Sequence, residues 1–326
     1  MAAAVERLER LFRPAVRGRL LPGEPLRAHT SFRVGGPADL LFFPADPDDL
    51  RSGLRLAADH GLPTLVMGRG TNLLVRDGGV RGLVVNLGDL NRIEGGEIPH
   101  RAPPGTPVEL SALGGTPLSR VINFAVRPGL SGLEWASGIP GSVGGAIAMN
   151  AGAHGHSMGE RVRWVDLVDA AGNEERLPAA AIAFTYRCTS FSRPGFVVAA
   201  GLELLVSTEQ QVLEETKRCL EEHKRRLPFG WANAGSVFKN PPGDFAGRLI
   251  EMANLKGLRV GGAEVSVKHA NVIVNLGQAT AADILGLMDA VVARVQREYG
   301  VRLEPEVQVV GEDEGLAQPQ WEGCRS

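Results

Sequence analysis

Cysteine is scarce in this chain: 326 residues contain only Cys188, Cys219 and Cys324. With no CxxC spacing and an odd number of thiols, neither a disulfide framework nor a zinc site is indicated. A reducing compartment, the cytoplasm, is the expected location. An excess of either charge is missing too, since 35 Lys+Arg stand against 37 Asp+Glu, a net charge of −2. That excludes the sequence-independent attraction on which most nucleic-acid and anionic-membrane binders rely, so any phosphate recognition must be local. No internal repeat or low-complexity tract occurs, and no GxxxxGK[ST] P-loop. His154, His156 and His269 lack metal-ligand spacing, so no metal is expected. Charge is absent over one stretch of 25 residues, Trp135 to Gly159, longer than the roughly 20 needed to cross a bilayer. Its Gly138, Pro140, Gly141, Gly144, Gly145, Gly152, Gly155 and Gly159, with Asn150 and two histidines, exclude a span, because so irregular a backbone cannot satisfy its own hydrogen bonds in lipid. An uncharged glycine-rich loop system built around a ligand is the remaining reading.

What is present is ordinary globular composition, 44% hydrophobic and 22% charged, in a chain long enough for two or more domains. At the N-terminus Arg7, Arg10, Arg13, Arg17 and Arg19 alternate with Val5, Leu8, Leu11, Phe12 and Val16. Glu6 and Glu9 favour an amphipathic helix over a targeting peptide. From about Leu40 to Val206 short β-branched runs are separated by glycine turns: Leu40–Phe43, Pro63–Met67, Leu73–Val75, Leu83–Asn86, Val162–Val168 and Phe196–Leu205 read as strands. Asp46 to Gly61 reads as a helix, capped by Asp46 or Asp48, with Leu50, Leu54 and Ala57 on one face. After Val206 the periodicity becomes helical. Ser207 and Thr208 open a charged helix that ends before Pro228; Asp244 caps a segment through Ala253; Thr280 with Asp283 opens a helix carrying Ile284, Leu287, Val291 and Val295, stopped by Gly300. Asn271–Val274 and Val301–Val310 are expected strands, and Glu312–Ser326 a solvated tail. The fold class is α+β, divided into 1–20 (helix), 21–206 (two subdomains splitting near 86), 207–311 (an α/β domain) and 312–326 (tail).

Two glycine clusters carry the first chemical signal. Gly68-Arg69-Gly70-Thr71-Asn72 lies between two strands, where successive backbone N–H groups can converge on one anion, such as a diphosphate. It is no Rossmann fingerprint, because a strand follows where a helix should begin. Ser137-Gly138-Ile139-Pro140-Gly141-Ser142-Val143-Gly144-Gly145-Ala146 has too little side chain to form a core element, so backbone must approach something flat or anionic there. Pro140 stands two residues before Ser142 where a nucleophile elbow needs glycine. Taken alone, the first cluster reads as a turn, and together they suggest a dinucleotide held without a Rossmann turn.

Thr30-Ser31-Phe32-Arg33-Val34-Gly35-Gly36-Pro37-Ala38-Asp39, Gly68 to Asn72 followed by Leu73-Leu74-Val75-Arg76-Asp77-Gly78-Gly79, and Gly138 to Ala146 resemble the UDP-N-acetylenolpyruvoylglucosamine reductase (MurB) family. Tyr186-Arg187, Asn233-Ala234-Gly235-Ser236-Val237-Phe238-Lys239-Asn240-Pro241 and Leu303-Glu304-Pro305-Glu306-Val307 agree, in the family's order. The resemblance implies an FAD-binding fold of the vanillyl-alcohol-oxidase (PCMH) type in two subdomains, followed by a C-terminal substrate-binding domain. It implies FAD, reduced by NADPH, that passes hydride to the enolpyruvyl double bond of a UDP-sugar, giving UDP-N-acetylmuramate for peptidoglycan; as no residue here is a flavin attachment site by motif, the FAD is expected to be noncovalent. Catalytic positions carry over as Arg187, Ser236 and Glu306. Cofactor contacts fall on Gly68, Arg69, Gly70, Thr71, Asn72, Ser137, Gly138, Pro140, Gly141, Gly144 and Gly145, and substrate contacts on Tyr186, Lys239 and Asn240. No nucleic acid, membrane or protein partner is implied.

Without that likeness the same residues read blandly: Glu306 as a solvated glutamate sharing a strand face with Glu304 and Gln308, Arg187 as a strand-end arginine, Ser236 as a turn residue. Lys224, Arg225 and Arg226 complement a helix C-terminus, with one of them an alternative partner, beside Lys239 and Asn240, for the diphosphate or uridine if the domain covers a UDP-sugar. Cys219 shares a face with Val212, Thr216 and Leu220 as a core thiol. One branch of the family inserts a tyrosine-bearing loop after the strand ending near Leu205; this chain runs straight into the next helix and resembles the shorter type II branch. The competing readings are an oxidase on the same flavin fold, which leaves the Ser236 loop and the Glu304-Pro305-Glu306 segment unexplained, and a UDP-sugar-binding module without turnover.

Overall fold

The computed structural model of the chain describes residues 2–313. Helix α1, Ala2–Phe12, is the expected amphipathic element, and Phe12 seals one hydrophobic cluster with Leu40, Phe42, Leu50 and Leu54. A four-stranded sheet follows in the order Arg19–Pro22, Ala38–Phe43, Val80–Asn86, Thr64–Met67. Helix α2, Pro47–Asp59, crosses between two of its parallel strands, and Asp46 is the residue that caps it, its side chain accepting from the Asp49 N–H. The strand expected at Leu83 begins three residues earlier, at Val80, because pairing to Ala38 continues past the apolar run.

The second sheet has antiparallel strands ordered Glu174–Pro178, Val162–Val168, Phe196–Val206, Pro107–Leu113, Ile93–Gly95, with Leu130–Ser131 paired to the long central strand. Helices α3, Leu118–Val126, and α4, Val143–Ala148, cover one face with Val121, Ile122, Val143 and Ile147. Helix α5, Glu209–Arg226, is capped by Thr208 as the sequence suggests. It lies against α3 and the turn Glu134–Ala136. Its buried Val212, Thr216 and Cys219 are thus set beside the second sheet and stand outside the C-terminal hydrophobic cluster.

That C-terminal cluster packs α6, Ala246–Met252, and α7, Ala281–Tyr299, on the strands Ala263–Val265 and Ile273–Asn275, and it takes Phe32, Val34 and Leu74 from the N-terminal part. Helix α7 has the predicted Thr280/Asp283 capping box and the left-handed Gly300 at its end. Asp244 does not cap α6; the Asn240 carboxamide oxygen accepts the Ala246 N–H at 3.0 Å instead. The strand expected over Val301–Val310 shrinks to Gln308–Val310, which pairs in parallel with Leu73–Val75. Pro305, lacking an N–H, holds only an isolated bridge to Phe238. The expected tail begins later than Glu312. Glu312 pairs with Arg81 and donates its N–H to Gly79, and Asp313 pairs with Arg76. Cys324 and the rest of that tail lie outside the described residues. Among the described residues no helix is long and apolar enough to cross a membrane.

Candidate active site

The loop joining Thr64–Met67 to Leu73–Val75 is shaped by contacts that exclude side chains. A Cβ on Gly68 would lie 2.2 Å from the Ser142 hydroxyl, and one on Gly70, whose φ is +62°, would lie 2.2 Å from the His29 carbonyl oxygen. The backbone N–H groups of Arg69, Gly70, Thr71 and Asn72 meet no acceptor among the described residues. Four successive unspent donors on a glycine-shaped turn are the groups from which an anion-binding concavity is built. The Thr71 hydroxyl donates to the Pro140 carbonyl at 3.2 Å, so the two glycine clusters form one surface.

In the second cluster Ser137 is 4% exposed and its hydroxyl has no partner among the described residues, an orphaned donor of the kind a bound group satisfies. Gly138, at φ +93°, lies flat against the His223 ring, which a Cβ would approach to 2.8 Å. Burial there holds the His223 imidazole below its ordinary pKa. Gly141 is likewise left-handed, at φ +143°. Ser142 caps α4, accepting from the Gly145 N–H. Gly144 has another use: its N–H is bonded to the Gly114 carbonyl at 2.8 Å, and a Cβ would strike the Val197 carbonyl oxygen. Packing alone therefore demands that glycine. The unspent amides, the orphaned serine and the glycine-lined wall fit a flat diphosphate-bearing cofactor such as FAD.

A separate hairpin, Ile182–Thr185/Cys188–Phe191, has Tyr186-Arg187 as its two-residue turn. Arg187 takes the left-handed conformation, φ +57°, while Tyr186 before it does not, the pattern of a type II turn. Its guanidinium donates through Nη1 to the Gly152 carbonyl at 2.9 Å. Its Nε sits 2.9 Å from Glu306 Oε1 as an ion pair, but the N–H is not aimed at that oxygen and stays without a hydrogen bond. The pair is therefore electrostatic, with donors to spare for another anion.

Glu306 does not share the solvent with Glu304. Its side chain is only 15% exposed, whereas Glu304 is 75% exposed. The alternation expected of a strand is broken at Pro305. Two main-chain anchors turn the residue inward: its N–H donates to the Val237 carbonyl at 2.7 Å, and its carbonyl accepts from the Asn72 side chain at 3.1 Å. Burial raises the Glu306 pKa above its ordinary value against the opposing pull of Arg187 and Lys239. Ser236 is held immediately beside this anchor, in an isolated bridge with Val272, while the Asn271 carboxamide clamps Phe238 through both its N–H and its carbonyl. Tyr186 reaches across to this segment, its hydroxyl accepting from the Asn240 N–H at 3.3 Å. Lys239 is half-exposed, with Nζ 3.7 Å from Glu304.

Segments far apart in sequence thus meet: the loop 68–72, the turn at 186–187, the 236–240 segment and the residue at 306. Reading the sequence missed the supports. Asn150, Thr189 and Asn271 are buried polar residues whose side chains bond main chain; a polar residue inside an apolar stretch is the only signal that marks them. Among the described residues no group of His, Cys, Asp and Glu could hold a metal ion. His156 pairs with Glu160 at 2.9 Å, and His269 accepts from the Asn271 N–H.

Comparison with known proteins agrees with this geometry. Residues 38–177 match a family model described as an FAD binding domain, and residues 227–310 match the C-terminal domain of UDP-N-acetylenolpyruvoylglucosamine reductase. A curated protein of Symbiobacterium thermophilum, UDP-N-acetylenolpyruvoylglucosamine reductase 2, is 47% identical over 95% of this chain and 98% of its own length. The UDP-N-acetylenolpyruvoylglucosamine reductase of Moorella thermoacetica is 46% identical over 90% of this chain and 94% of its own. A crystal structure of the reductase (MurB) from Thermus caldophilus superposes with a TM-score of 0.73 at 34% identity, covering 90% of this chain and 98% of that one.

Proposed function

The chain belongs to the UDP-N-acetylenolpyruvoylglucosamine reductase family of FAD-dependent oxidoreductases, and from that premise we propose that it reduces the enolpyruvyl double bond of UDP-N-acetylglucosamine-enolpyruvate with NADPH, in the cytoplasm, through Arg187, Glu306 and Ser236. The observation that carries the reading is the Arg187–Glu306 pair, 2.9 Å apart, in which Glu306 is the residue whose carbonyl is bonded to Asn72 of the glycine loop. FAD, held noncovalently, would supply at its N5 the hydride taken from NADPH. Addition of that hydride leaves negative charge on the neighbouring carbon and its carboxylate, so preorganised donors are needed there. Arg187 holds the substrate carboxylate with its planar fork. Glu306, whose carboxyl burial shifts toward its protonated form, donates in that form a hydrogen bond to the developing enolate. Ser236 delivers a proton to the carbanion, a base strong enough to take one from a hydroxyl.

In this reading Arg69, Gly70, Thr71, Asn72, Ser137, Gly138, Pro140 and Gly141 line the cofactor, with Gly68, Gly144 and Gly145 shaping the wall. Tyr186, Lys239 and Asn240 meet the UDP-sugar. The division of labour is a cofactor-binding part over 21–206 and a substrate-binding part over 207–311, with no protein partner required. Stopped-flow spectroscopy of the two half-reactions tests it. NADPH should bleach the flavin of the purified protein and the enolpyruvyl sugar should restore its colour under exclusion of oxygen. Colour restored by oxygen alone would overturn the assignment in favour of an oxidase.

A further inference from the structure

The hairpin that carries Arg187 pairs with no other strand among the described residues, so its position depends on the packing of Ile182, Phe184 and Phe191 on the second-sheet core and on side-chain ties. Three of these reach the segment at the end of α4. The Thr189 hydroxyl donates to the Ile147 carbonyl, Arg187 itself donates to Gly152, and the Asn150 carboxamide donates to the Thr185 carbonyl at 2.8 Å. Asn150 is the middle tie and the most constrained. It is 6% exposed, it takes a left-handed φ of +40°, and its Oδ1 accepts from the Gly159 N–H at 3.0 Å. Both ends of the carboxamide are therefore spent on main chain, and the end that donates grips the residue two before Arg187. Asparagine tolerates the left-handed conformation that this grip requires.

We propose that Asn150 is a positioning residue that sets the distance of the Arg187 guanidinium from Glu306, an inference that rests on the role given to Arg187 above. A displacement of about 1 Å at such a group costs on the order of 100-fold in rate. Removing the Asn150 carboxamide releases the tie at Thr185, the strand end next to the turn, while the Thr189 tie and the packing of Ile182, Phe184 and Phe191 keep the hairpin folded. The charged groups facing the Glu306 carboxyl are Arg187 from the hairpin and Lys239 from the Ser236 segment, the latter also near Glu304. Moving Arg187 away removes the first of the two cations that oppose the effect of burial on Glu306.

The test uses holoenzyme carrying Asn150→Gly, which keeps the left-handed backbone free of strain, and Asn150→Asp, which keeps the acceptor for Gly159 and sets a carboxylate against the Thr185 carbonyl; Arg187→Ala is the reference. In both Asn150 variants, bleaching by NADPH should stay within about twofold of wild type, while reoxidation by the enolpyruvyl sugar falls by roughly ten- to 100-fold. The high-pH limb of the reoxidation rate should move to higher pH, and calorimetry should show UDP-N-acetylmuramate bound about tenfold more weakly. Equal loss in both half-reactions with an unmoved limb, or failure of both variants to fold, would make Asn150 a structural residue only and overturn the proposal. If Arg187→Ala leaves reoxidation intact, the role of Arg187 is wrong and the inference falls with it.

Discussion

The Asn72 side-chain amide donates to the Glu306 carbonyl at 3.1 Å across 234 positions of sequence. The Asn72 carbonyl in turn accepts the Gln308 N–H at 2.9 Å, so a residue of the glycine loop holds the 306–308 segment at two points. The glycine loop and the segment that carries the Glu306 carboxyl are thereby one mechanical unit. A carboxyl on a flexible strand would find water and ionise; held inward here, it stays desolvated.

Ser236→Ala should leave bleaching by NADPH at the wild-type rate and slow reoxidation by the enolpyruvyl sugar by about 100- to 10,000-fold, the usual worth of a positioned proton donor. Single-turnover absorbance of the flavin reads both steps, and equal loss in the two would assign the serine a structural role.

Glu306→Gln bears on pH. The folded pKa of Glu306 is raised above its ordinary 4.5, so the folded protein holds the proton more tightly than the unfolded chain. Its contribution to stability is present below about 4.5 and is lost as pH rises through the folded value. The glutamine variant should lack that decline in a urea-melt series. Its reoxidation rate should also lose the high-pH limb, since the amide cannot ionise.

Gly70→Ala should destroy the cofactor loop. The new methyl would meet the His29 carbonyl oxygen at 2.2 Å in a left-handed backbone, a conformation costing an L-residue roughly 1–2 kcal/mol before the clash. Fluorescence titration should show FAD bound more than tenfold more weakly, and unchanged affinity would separate the loop from the cofactor.

Asp77→Ala tests the seam between the N- and C-terminal parts. The two carboxylate oxygens of Asp77 accept the N–H groups of Ala281 and Ala282, each at 2.9 Å, capping α7 from a distant loop. Removing them should lower the unfolding free energy by about 1 kcal/mol, seen as a shifted denaturant midpoint with unchanged slope. No shift would mean that Thr280 and Asp283 suffice.

Local signals were the legible ones. The caps at Asp46, Thr208 and Thr280 and the stop at Gly300 depend on groups within a few residues, so spacing alone reveals them. Where a helix end draws on a remote side chain, as Asn240 does for α6, the nearest acidic residue misleads. The strand expected from Val301 failed at Pro305 for a related reason: the apolar alternation was real, but no neighbouring ladder reached it.

Order of residues along the chain determined the elements, the glycine-shaped loops and, through their joint resemblance to one family, the activity. Only the tertiary structure decided that Glu306 turns inward while Glu304 stays in water, that Gly144 serves packing, and that Asn150 and Asn72 hold the groups around the site. The physical reason is desolvation: whether a carboxyl or an amide is a surface group or a buried donor depends on what packs over it, and those atoms come from segments that periodicity along one strand cannot see.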